Sequence, residues 1–166
     1  RNYWITFFLV VLTANIIGIQ LPNELLEQVT KPLLVPVLAI YFFLQTKNIK
    51  SNLKTWILAA LFFSWAGDIL LMFQAKDPNF FIFGLSAFLL AHVFYIIFFY
   101  RVRIQENVKN NLIIQLPVAL YYGGLISLLF QHLADMKVPV MVYGIVISWM
   151  FMQAMHMLFI KNKAAG

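Results

Sequence analysis

The chain has no cysteine, which removes disulfides, a thiol nucleophile and a thiolate metal site at once. Charge is scarce as well. Of 166 residues only 11% are Asp, Glu, Lys or Arg, whereas 63% are hydrophobic and the mean hydropathy is +0.84. A water-soluble domain could not bury so much apolar surface, because helices apolar all round must face either protein or lipid. Only three histidines are present, and no His-x-x-x-His or Glu-x-x-His pair sets two metal ligands on one helical face. Gly-x-Ser-x-Gly elbows, phosphate loops and dinucleotide fingerprints are missing too. The net charge of +6 comes from basic residues at the ends of apolar runs, a pattern that tracks membrane orientation rather than nucleic acid.

What remains is a set of long apolar runs. They predict an all-α, polytopic transmembrane bundle in a single domain, 1–166, with spans at roughly 3–19, 32–46, 56–73, 80–100, 112–130 and 138–160. The second run is the shortest. Thr30 is expected to cap it, with Pro32 in its first turn, where a missing amide costs nothing. Pro36 lies one turn deeper and frees a carbonyl that protein or water must satisfy. Nine of the twelve basic residues (Arg1, Lys47, Lys50, Lys54, Arg101, Arg103, Lys109, Lys161 and Lys163) fall on one side, against Lys31, Lys76 and Lys137 on the other. That asymmetry predicts a cytoplasmic N-terminus.

Five of the six acids, Glu24, Glu27, Asp77, Glu106 and Asp135, are expected in polar breaks. Asp68 is different. It sits inside the apolar run Trp56 to Phe73, where a carboxylate costs about 3 kcal/mol on insertion scales and so marks a candidate site. Ser64 is one turn earlier on the same face. His92 and Tyr95 share a face of the next span, and at 1.5 Å per residue Asp68 and His92 each lie about 18 Å from the start of their spans. The four groups are therefore expected to converge. The same groups also suit plain interhelical hydrogen bonding, a reading that fits His92 and Tyr95 better than it fits Asp68, since Asn would join helices without a charge.

Other polar positions suggest helix contacts or interfaces. Asn15 and Gln115 read as contact or interfacial residues, Tyr121-Tyr122-Gly123-Gly124 as a bent helix packed through its glycines, His156 as interfacial and His132 as a loop residue.

Several pieces together resemble the YhhN-like lysoplasmalogenase family of membrane proteins. They are Thr30-Lys31-Pro32-Leu33, Gly67-Asp68-x-Leu70-Leu71, and Phe83-Gly84-x-x-Ala87-Phe88 running to Ala91-His92-x-x-Tyr95, with looser matches at Pro139 to Tyr143 and Gln153-Ala154. The resemblance implies about eight spans and a second intramembrane aspartate in a later Ser-Asp motif. This chain reaches Gly166 before one, and so reads as C-terminally truncated.

The activity implied is hydrolysis of the vinyl-ether bond of a lysophospholipid by water, with no metal or organic cofactor, in a bacterial inner membrane. A carboxyl kept from water can hold a proton and deliver it to carbon, which gives Asp68 the catalytic role, with Ser64, His92 and Tyr95 supporting it. Lys31 is then a candidate for the substrate phosphate, although a lysine at a span end also snorkels to the interface without any ligand. Two other classes suit the same residues. A proton-coupled transporter would use a lone buried acid, and a membrane scaffold would need only the small-residue contacts.

Overall fold

The computed structural model describes residues 3–21, 24–49 and 51–160, and of Glu24, Glu27, Ile114 and Asp135 the backbone alone. Six α-helices follow one another: α1 (Tyr3–Gln20), α2 (Glu24–Thr46), α3 (Leu53–Met72), α4 (Asn79–Gln105), α5 (Leu112–Leu129) and α6 (Lys137–His156). Short 3-10 turns flank α6, and among the described residues no strand occurs. Each helix overlaps one predicted span. Five of them, α1, α2, α3, α4 and α6, are long and apolar enough to cross a membrane. The 18 residues of α5 reach about 27 Å at 1.5 Å each, close to the ~30 Å of a hydrocarbon core. Arg1, Lys50, Lys161 and Lys163, four of the residues behind the charge asymmetry, lie outside the described residues.

The expected start of the second span is corrected. It begins at Glu24, so the backbone of Glu24 and Glu27 is helical rather than part of a break, and Thr30, Pro32 and Pro36 are all interior. Thr30 caps nothing. Its hydroxyl donates to the Leu26 carbonyl at 2.7 Å and accepts from Asn15 Nδ2 of α1 at 2.9 Å. This buried pair makes Asn15 the helix-contact residue its sequence position suggested. The extra two turns also lengthen α2 to 23 residues, about 34 Å, which removes the shortfall of the predicted span.

The helices group into two compact units, Arg1–Ala91 and His92–Gly166, with the boundary inside α4. In the first unit α2 packs against both α1 and α3. The contact between α3 and the first half of α4 is built on missing side chains. A Cβ on Gly67 would lie 2.8 Å from the ring of Phe88, and one on Gly84 would lie 2.7 Å from Leu71, so each glycine is a socket for its neighbour. Ala87 and Ala91 of α4 are buried as well.

In the second unit α5 packs on α6. Tyr122 donates its hydroxyl proton to the Met141 carbonyl at 2.8 Å and lays its ring over Gly144. The glycine pair of α5 departs from expectation. Neither Gly123 nor Gly124 has an atom within 4 Å of where a Cβ would stand, so the close packing is made by Gly144 across from Tyr122 instead. His132 ends an exposed 3-10 turn after α5.

Candidate functional site

Asp68 is positioned by the spacing of α3. Leu61, Trp65 and Asp68 recur at intervals of four and three, which keeps them on one face of the helix. Trp65 decides where that face looks. Its indole Nε1–H donates to the Pro32 carbonyl of α2 at 2.9 Å. That oxygen is the one Pro36 leaves without an intrahelical donor, since proline has no N–H four residues on. The freed carbonyl expected in α2 is thus satisfied by a side chain of the next helix.

Beside this bond stands Lys31, whose ammonium acts electrostatically on the Asp68 carboxyl. Both residues are half-buried. The two groups belong to neighbouring helices, α2 and α3, which the Trp65 bond to Pro32 joins. The charged group that acts on Asp68 belongs to α2. The reason is rotational: with Trp65 turned to Pro32, it is Gly67 and Leu71 that meet Phe88 and Gly84 of α4.

A cleft lies between the same two helices. Val35, Pro36 and Ala39 of α2 and Leu61, Phe62 and Trp65 of α3 line an apolar cleft of about 310 Å³. Lys31 is one turn before Val35, and Asp68 is three residues after Trp65, so the acid and the amine follow the groove's lining on both helices. Its volume is at the lower end for small-molecule clefts, which run from roughly 300 to 1,000 Å³.

The remaining expected site residues are half-buried. Ser64 is on α3, one turn before Asp68. His92 and Tyr95 belong to the second unit. The His92 ring meets Tyr143 of α6 edge-on with centroids 5.3 Å apart, and Tyr95 stacks on Phe99 at 6.4 Å. Among the described residues no group of three or more His, Asp or Glu gathers that could hold a metal ion.

Sequence reasoning missed a polar cluster in the second unit. His156, expected at an interface, is fully buried, and Gln153 beside it is 5% exposed. His156 Nε2 accepts the Asn111 backbone N–H at 3.2 Å while its Nδ1 lies 2.6 Å from the Met152 carbonyl, and Gln153 accepts from Arg103. The available signal was the three-residue spacing of Gln153 and His156, which puts both on one face. Gln115, read as a contact or interfacial residue, joins the cluster by donating to Asn110.

A family model described as the YhhN family matches residues 26–166. No curated protein matches the chain. No solved structure matches it either.

Proposed function

Because the chain belongs to the YhhN family, we propose that it hydrolyses the vinyl-ether bond of lysoplasmalogens, releasing a fatty aldehyde and a glycerophospho-headgroup. The observation that carries this reading is Asp68, a carboxyl inside an apolar helix on which the Lys31 ammonium acts electrostatically, with an apolar cleft between the same two helices. A single-chain lipid has the matching parts: one hydrocarbon tail, a reactive ether at its head, and a phosphate beyond.

In this scheme the tail occupies the groove and the phosphate engages Lys31. The phosphate draws the ammonium from Asp68, and a lone carboxyl in hydrocarbon is least costly as the neutral acid, which is the form that donates. Asp68 delivers its proton to the β-carbon of the vinyl ether. The double-bond electrons form the new C–H bond and leave an oxocarbenium ion, which the Asp68 carboxylate stabilises. Water then adds to the α-carbon and gives up a proton to the carboxylate, restoring the acid. The resulting hemiacetal collapses, its C–O bond breaking to aldehyde and alcohol. Ser64 is assigned an orienting and hydrogen-bonding role.

The test is fatty aldehyde release from a 1-alkenyl lysophospholipid by purified, chelator-treated protein in detergent. Asp68→Asn should lower the rate by about 10²–10⁴-fold, the usual contribution of a general acid. Carbon protonation should also show a normal solvent deuterium isotope effect. Folded Asp68→Asn protein that releases aldehyde at the wild-type rate would sink the assignment, and full biological activity of that variant would favour a scaffold.

A further inference from the structure

Between α4 and α5, residues 106–111 and Phe159 wall a cavity of about 650 Å³ within the second unit. Asn110 in that wall is held from behind by Arg103 of α4. The Arg103 Nη1 donates to Gln153 Oε1 at 3.0 Å and to Asn110 Oδ1 at 3.3 Å, and the guanidinium carbon lies 5.3 Å from the ring centroid of Tyr100. Asn110 Oδ1 also accepts from Gln115 Nε2 at 2.6 Å.

The neighbouring backbone is clipped as well. Asn111 N–H donates to Nε2 of the fully buried His156, so the ring proton must sit on Nδ1, which donates to the Met152 carbonyl. This wall is therefore held from behind by buried side chains.

Its electrostatics are unbalanced. Among the described residues, the hydrogen-bond partners of the half-buried Arg103 guanidinium are two neutral amide oxygens. A cation partly withdrawn from water and met by two amide dipoles and the Tyr100 ring, with no carboxylate among those partners, favours an anion, and a guanidinium offers the planar fork that suits phosphate. The 3.3 Å bond to Asn110 is the longer of the two. An anionic oxygen can replace it with a shorter, charge-assisted bond while Gln153 keeps the guanidinium in place. The wall itself carries one cation, Lys109, and one carboxylate, Glu106, while Arg103 stands behind Asn110.

We propose that this cavity binds a phosphate-bearing anion, carried either by a membrane lipid headgroup or by a free phosphate ester. Arg101, Arg103 and Lys109 make this a basic stretch of the chain, the kind that attracts anionic headgroups. The site uses none of the residues assigned to hydrolysis, so it stands or falls separately.

Native mass spectrometry of the intact protein from micelles doped with phosphatidylglycerol or with phosphatidylcholine tests it. A parallel arm measures thermal stabilisation by inorganic phosphate and by glycerol 3-phosphate. Wild-type protein should retain phosphatidylglycerol in preference to phosphatidylcholine, or be stabilised by the soluble phosphates. The first result assigns a lipid source and the second a soluble one. Arg103→Gln should weaken the retained ligand about tenfold, as loss of a charge-assisted bond implies, with Arg103→Lys intermediate. Since Arg103 also braces the fold, Lys109→Gln, at an exposed position, provides a second measure and should weaken binding about threefold, whereas Asn110→Ala frees the guanidinium from a competing acceptor and should not weaken it. Binding in neither arm, or binding unchanged in the Arg103 and Lys109 variants, overturns the proposal.

Discussion

The Trp65 indole nitrogen lies 2.9 Å from the Pro32 carbonyl oxygen, the oxygen that Pro36 cannot serve from within its own helix. One side chain of α3 thus repairs the backbone of α2 and fixes the rotation of the helix that bears Asp68. Trp65→Phe should lower thermal stability in detergent by about 1–3 kcal/mol, the cost of leaving a carbonyl unmade in a water-poor setting. Pro36→Ala supplies the missing amide, so in that background Trp65→Phe should cost clearly less. Equal costs in both backgrounds would show that the indole bond does not serve the freed carbonyl.

Lys31 is expected to act on substrate binding more than on the chemical step. Lys31→Gln should raise KM for the lysophospholipid about tenfold and change kcat far less, since a phosphate contact is made in both ground and transition states. Steady-state aldehyde release at varied substrate decides this. A fall in kcat alone would transfer Lys31 from phosphate recognition to the protonation of Asp68.

Gly67 tests the contact between α3 and α4. Gly67→Ala forces a methyl group to within 2.8 Å of the Phe88 ring and should destabilise by about 1–3 kcal/mol. Gly123→Ala, which meets open space, should be close to neutral or slightly stabilising through helix propensity. A comparison of melting temperatures of the two variants in one detergent measures the difference. Equal losses would contradict the close approach at Gly67.

The charge asymmetry predicts that the α2–α3 connection faces the cytoplasm and the α3–α4 connection the opposite side. The native chain has no cysteine, so single cysteines report cleanly. A cysteine at Asn79 should label from outside intact cells and one at Asn52 should not, both positions being exposed. The reverse pattern would invert the topology.

Much of the architecture was determined by the sequence alone. Six apolar runs suffice to specify six helices, because a backbone in hydrocarbon has to satisfy its own hydrogen bonds and a helix does so locally. Asp68 was legible for the same reason, as the one acid placed within an apolar run rather than in a polar break. The start of α2 was misread because Thr-Lys-Pro imitates a helix opening, whereas the chain continues the helix back to Glu24 and uses Thr30 to hold Asn15 of α1. Only tertiary structure decided which way the polar groups turn. Helical periodicity ranks faces but leaves each helix free to rotate about its axis. The Trp65 to Pro32 bond and the Gly67 to Phe88 contact remove that freedom for α3 and bring Asp68 to Lys31. The burial of His156 had the same origin: its partner is a backbone N–H 45 residues away, and the spacing of side chains along one helix carries no record of such a group.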